Sequence, residues 1–220
     1  RGLGDVYKRQ VLTSVKEYSI APGIKEKHIT TVDKDGNNQV QAYMAEVDLK
    51  TPSAGMMAGY KDYDKTGKWG MQTVRDQVKA AEKETGKTIV AAINGDYFDL
   101  GTGQPWGALV MGGNIVQSQN EHPYFAIMKD GTADCREAYE PLDNVVEAIG
   151  SPFFLVKDGK ALEELASDPY TSPRCAVGIK ADGSVIIYEA DGRQAPKSCG
   201  QSLYETAKQM AAMGCVEALY

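Results

Sequence analysis

Apolar and polar positions first fall into a clear rhythm near residue 40. Tyr43, Ala45, Val47 and Leu49 alternate with Met44, Glu46 and Asp48, the two-residue period of a half-buried strand. The run 28–32 precedes it across the polar stretch Asp33-Lys34-Asp35-Gly36-Asn37-Asn38, so strand, turn and strand are predicted over 28–49. Thr51-Pro52-Ser53-Ala54-Gly55 ends the pattern, and the Gly-, Lys- and Asp-rich segment to Gly70 reads as a surface loop. The period then changes. Met71, Val74, Val78 and Ala81 recur at helical spacing, with Thr73 and Asp76 as an opening cap and Gly86 as a closing one, which predicts a helix over about 71–85. Thr88-Ile89-Val90-Ala91-Ala92-Ile93 follows as a continuous apolar run, the signature of a strand buried on both faces. It leads straight into Asn94-Gly95-Asp96-Tyr97-Phe98-Asp99, so polar groups stand at the end of a central strand, where ligands are commonly held.

Short β-like runs fill the rest. A hairpin is predicted around Gly112-Gly113-Asn114, and Asp130-Gly131, Asp158-Gly159 and Asp182-Gly183 each mark a turn between such runs. Residues 144–149 suit either a helical turn or a strand. Near the end, Ala176, Val177 and Ile179 make one strand and residues 185–188 its return. Ser202 with Glu205 then opens a second helix over about 202–213, with Leu203, Ala207, Met210 and Ala211 as its apolar stripe and Gly214 after it. Cys215 begins a further strand. The turns share no fixed period, which excludes an internal repeat. The fold class that results is α+β: a mixed, largely antiparallel sheet with hairpins, packed by two main helices.

Composition narrows the function classes. At 220 residues the chain can bury one substantial core, and a single domain over 11–220 is expected. Residues 1–10 (RGLGDVYKRQ) show neither period and read as a non-native leader. The net charge of −6, without a Lys or Arg cluster, argues against a nucleic-acid partner. No apolar run approaches the ~20 residues of a membrane span. The four cysteines form no C-x-x-C pair, and with two histidines in the chain neither a metal site nor a cofactor is called for. Three disulfide pairings and four free thiols both remain open.

Candidate chemistry gathers in two loops and one strand start. Asn94, Asp96 and Asp99 follow the apolar run, Arg174 precedes a strand, and Asp191, Arg193, Ser198 and Gly200 lie in the loop leading to the second helix. A charged loop between strand and helix can offer N–H groups, an arginine and a carboxylate to one anion. Each residue also has an ordinary reading: Arg174 as a surface ion pair, Asp99 as a loop cap, and Asp191-Gly192 as a turn. Trp106 suits either a sugar ring or the core, His122 either acid–base work or solvent, and Tyr60, Tyr63 and Trp69 either sugar contact or loop packing.

Taken in order, Ala92-Ile93-Asn94-Gly95-Asp96-Tyr97-Phe98, Gly107, Pro173-Arg174-Cys175-Ala176-Val177-Gly178-Ile179, Asp191-Gly192-Arg193-Gln194, Ser198-x-Gly200 and Glu217-Ala218-Leu219 resemble the phosphodiester glycosidase family. The resemblance covers about 40–219, and its final third is the most specific. It departs at Asp96, where mammalian relatives carry glycine, and at Tyr220, where the family pattern continues with Asn-Leu-Asp-Gly-Gly-Gly-Ser. On that basis the domain is expected to be incomplete at its C-terminus and this fragment to lack part of its pocket.

What the resemblance implies is hydrolysis of sugar 1-phosphodiesters of the N-acetylglucosamine-1-phosphate type, within a phosphate-linked glycan in the envelope or outside the cell. Asp191, Arg174 and Asp96 would be catalytic. Asn94, Asp99, Arg193, Ser198 and Gly200 would bind substrate. A non-catalytic glycan-binding domain that keeps the pocket is the alternative.

Overall fold

The computed structural model describes residues 11–32 and 38–220. The expected leader, residues 1–10, and residues 33–37 of the first turn lie outside them. Among the described residues, thirteen strands and two α-helices follow in order: β1 (Val11–Ala21), β2 (Ile24–Val32), β3 (Gln39–Val47), α1 (Val74–Thr85), β4 (Leu109–Met111), β5 (Asn114–Gln117), β6 (Tyr124–Met128), β7 (Ala133–Arg136), β8 (Val145–Gly150), β9 (Phe154–Lys157), β10 (Lys160–Ala161), β11 (Arg174–Lys180), β12 (Val185–Ala190), α2 (Leu203–Ala212) and β13 (Cys215–Leu219). They form an eight-stranded sheet, β1-β2-β3-β12-β11-β13-β9-β10, and a five-stranded one, β5-β4-β8-β6-β7. Every strand pair among the described residues is antiparallel, so the mixed sheet expected from the sequence is corrected to two antiparallel ones.

Both helices begin at the caps the sequence carries. Thr73 Oγ1 accepts the Asp76 N–H and Gly86 closes α1 in the left-handed region at φ +69°. Ser202 and Glu205 make a reciprocal capping box at the start of α2. The buried side of α2, Ala207 and Met210, packs on one face of the large sheet with Met44, Ala176, Ile186 and Tyr188. Gly178 makes room for this contact, since an added Cβ there would lie 2.9 Å from Met210 Cε. On the other face, Val185, Ile179, Leu219 and Phe154 meet Phe125, Ile127 and Cys135 of the small sheet. The middle of the large sheet is therefore covered on both sides, which fixes β11 and β12 firmly.

One predicted strand is absent. Residues 88–93 pair with no strand among the described residues, and Val90 is 38% exposed. Ile89 alone anchors the run, its N–H donating to Glu82 Oε2 at 3.0 Å and its side chain packing near Tyr63 and Met111. Apolarity reports a preference for burial, whereas a strand also requires a neighbouring backbone edge to pair with. Residues 144–149, open between helix and strand in the sequence, become β8. All four cysteines are free thiols.

Candidate functional site

The β11–β12 hairpin supplies the site. Its register pairs Arg174 with Ala190 and Cys175 with Glu189, so Asp191 stands one residue past Arg174's partner. Successive side chains alternate between faces. Arg174 and Ala190 lie on the α2 face, while Cys175 and Glu189 lie on the opposite one.

Arg174 is buried at 7% exposure and donates three hydrogen bonds, all to neutral oxygens. Nε reaches the Gln201 carbonyl at 2.9 Å, one terminal nitrogen the Tyr220 hydroxyl at 3.0 Å, and the other the Tyr170 carbonyl at 2.9 Å. A guanidinium carries five N–H groups, so each terminal nitrogen keeps one N–H without a protein acceptor. No carboxylate among the described residues lies within ion-pair distance of it. A buried cation whose hydrogen-bond partners are all neutral, with the Glu205 charge acting on it only at longer range, is costly in free energy, and an anionic ligand offsets that cost. The surface ion pair open in the sequence is thus excluded. The position is held from α2: Gln201, 2% exposed, accepts from the Tyr188 hydroxyl at 2.8 Å and from Thr206 through its side chain.

Asp191 heads the neighbouring loop. Its N–H donates to the Gln41 carbonyl at 2.9 Å, and its own carbonyl accepts from Ser198 Oγ at 2.7 Å. Ser198 Oγ in turn accepts the Gln41 N–H, so this hydroxyl ties the loop to β3. Gly192 and Gly200 let the loop lie directly on Ser172 and Pro173. A Cβ on Gly200, at φ +82°, would approach the Ser172 carbonyl to 2.6 Å, and one on Gly192 the Pro173 nitrogen to 2.6 Å. Arg193 is exposed at the loop's tip with φ +56°.

The remaining expected residues divide. Asp96 is half-buried, its two oxygens accepting the Tyr97 and Gly107 N–H groups at 2.7 Å each. Burial pushes its carboxyl up, with those two N–H groups and His122 pulling the other way. Asp99 is exposed and caps the turn at Gly101 and Thr102, and those hydrogen bonds hold its carboxyl below the usual range. Asn94 is exposed near Cys175, whose thiol burial pushes up to about 12 and the Asn94 backbone pulls down. The raised value makes that thiol a poor nucleophile.

Glu189 was not foreseen from the sequence. It lies across from Cys175 on one side and Tyr43 on the other, and both burial and the charge of Asp191 push its carboxyl up. Its side chain lies on the face of β12 opposite Arg174, so it stands apart from the guanidinium. The aromatic alternatives also resolve. Trp106 is half exposed and does not close the core, whereas Tyr63 is buried and Trp69 packs beside it.

A family model described as phosphodiester glycosidase matches residues 87–220. The mouse N-acetylglucosamine-1-phosphodiester alpha-N-acetylglucosaminidase is 27% identical over 151 residues, covering 58% of this chain and 29% of the mouse protein. The chain thus spans under a third of that relative's length. In three dimensions it is similar to the catalytic domain of the zebrafish enzyme of the same name, auto-inhibited by its pro-peptide, with a TM-score of 0.66 at 19% identity over 96% of this chain and 74% of that one. It is also similar to a hypothetical protein from Synechocystis, with a TM-score of 0.70 at 14% identity over 94% and 57% of the two chains. At these identities the two structures speak for the fold.

Proposed function

Because the chain belongs to the phosphodiester glycosidase family, we propose that it takes part in hydrolysis of sugar 1-phosphodiesters of the N-acetylglucosamine-1-phosphate type, drawn from a phosphate-linked glycan. The observation that carries this reading is Arg174, a buried guanidinium with neutral hydrogen-bond partners only and one open N–H on each terminal nitrogen. A phosphodiester is singly charged and forked, which suits that pair of donors.

In the reaction water attacks the anomeric carbon, the bond from that carbon to the phosphate oxygen breaks, and the phosphate monoester leaves with the bonding electron pair. Phosphate leaves far more readily than an alkoxide, so demand for a strong general acid is modest. Arg174 holds the phosphate and steadies the charge that grows on it. Asp191 is assigned the carboxylate that orients water, or faces the oxocarbenium-like carbon, and takes up the proton released from water. Asp96 serves by fixing Tyr97 and Gly107, since both of its oxygens already accept backbone N–H groups. Asn94 and Arg193 are assigned to sugar and phosphate oxygens at the rim. Such polymers place the activity in the envelope or outside the cell.

The test is release of free N-acetylglucosamine from a synthetic sugar 1-phosphodiester, compared with a plain methyl glycoside. Turnover of the phosphodiester but not the methyl glycoside supports the reading. Binding of the phosphodiester without any sugar release overturns it in favour of a glycan-binding domain.

A further inference from the structure

Beside Arg174 the aromatic rings form a continuous ledge. The Tyr220 ring lies 5.5 Å from the guanidinium, and Phe153 stacks flat on it at 5.2 Å and 4°. Tyr97 meets Tyr220 edge-on at 5.9 Å, and Trp106 meets Tyr97 edge-on at 5.4 Å. His122 lies nearly parallel to Trp106 at 6.2 Å. The Tyr220 hydroxyl also accepts from Arg174 at 3.0 Å, so the ledge is joined to Arg174 by bonding as well as by contact.

Its outer end is open. Trp106 is 50% exposed and Tyr97 41%, although large rings of this kind normally bury themselves. Nor is it a loose tip: the Trp106 N–H donates to the Tyr97 carbonyl at 2.8 Å, Phe98 and Pro105 form a β-bridge, and Asp96 clamps the N–H groups of Tyr97 and Gly107. The backbone thus holds an apolar surface out to solvent, at the end of a chain of rings that leads to an unpaired cation.

A pyranose ring has the complementary make-up, with C–H groups on its face and hydroxyls around its rim. We propose that Trp106 and Tyr97 are a sugar subsite, packing the C–H face of a pyranose whose phosphate is held at Arg174. The subsite rests on the anion-binding role given to Arg174 above, and it sets which sugar phosphodiesters the site accepts. A ligand that carries both ring and phosphate engages both ends of the ledge, whereas free phosphate engages one.

The chain has two tryptophans, so Trp69→Phe leaves Trp106 as the sole reporter. In that variant, titration with N-acetylglucosamine and with N-acetylglucosamine 1-phosphate is expected to change the emission saturably, more tightly for the phosphate. Should the variant fail to fold, the difference between wild type and Trp106→Phe isolates the same signal. An emission that neither sugar alters over its solubility range overturns the subsite.

In the hydrolysis assay, Trp106→Ala is expected to raise KM about tenfold with kcat within about twofold, and Trp106→Phe to recover most of the loss. An unchanged KM in a folded Trp106→Ala protein also overturns it. Where no phosphodiester is turned over at all, the hydrolase reading fails and the fluorescence titration still decides the subsite.

Discussion

Gly200 shows how closely the loop before α2 is fitted. With φ at +82° and the Ser172 carbonyl 2.6 Å from any Cβ, alanine there must strain the backbone and push the Ser172 backbone away. Gly200→Ala is expected to destabilise the protein by ~1–3 kcal/mol, read as a lowered midpoint in thermal unfolding. Glu189 makes a second point at this scale. Burial and then Asp191 raise its folded-state pKa above the unfolded value. A raised carboxyl binds its proton more tightly when folded, so its stabilising share is present below the unfolded pKa and lost as pH rises through the folded one. Stability of Glu189→Gln should therefore fall less than wild type as pH rises from the ordinary glutamate range upward. Urea unfolding across that range measures it, and equal slopes would refute the coupling. Asp191 and Arg174 were legible as candidates because charged residues flank short apolar strands there. Ser198 and Asp96 were legible as positions only, because which oxygens their neighbours occupy is a tertiary fact.

Among the elements, α2 does more than cover the sheet. Its cap residue Ser202 follows Gln201, whose carbonyl holds Arg174 and whose side chain holds Tyr188. Ser202→Ala removes the bond from the Glu205 N–H and is expected to cost about 1 kcal/mol. If the cap also steadies Gln201, KM for a phosphodiester rises in step with that loss. Both helices were readable from caps and period, since these are local signals. The run at 88–93 was misread because its partner, or lack of one, is not written in its own residues. No backbone hydrogen bond is formed by residues 90–93 among the described residues. Hydrogen exchange should thus show their amides exchanging fast while those of Ile186 and Tyr188 in β12 stay protected, and equal protection would contradict the pairing described here.

At the scale of the whole molecule, the site depends on a sheet clamped between α2 and a second sheet. That sandwich explains how an arginine can be kept buried without a carboxylate in ion-pair contact: β11 cannot shift to expose it without breaking both cores. Hairpins and turns were visible in the sequence, but the division into two antiparallel sheets was not, because non-local pairings such as β3 with β12 leave no local trace. The central claim is that Arg174 is the phosphate anchor, and kinetics with Arg174→Ala test it most directly. With circular dichroism confirming the fold, kcat/KM for an N-acetylglucosamine 1-phosphodiester is expected to drop by about 100-fold or more. A folded Arg174→Ala protein that releases N-acetylglucosamine at the wild-type rate would contradict the account.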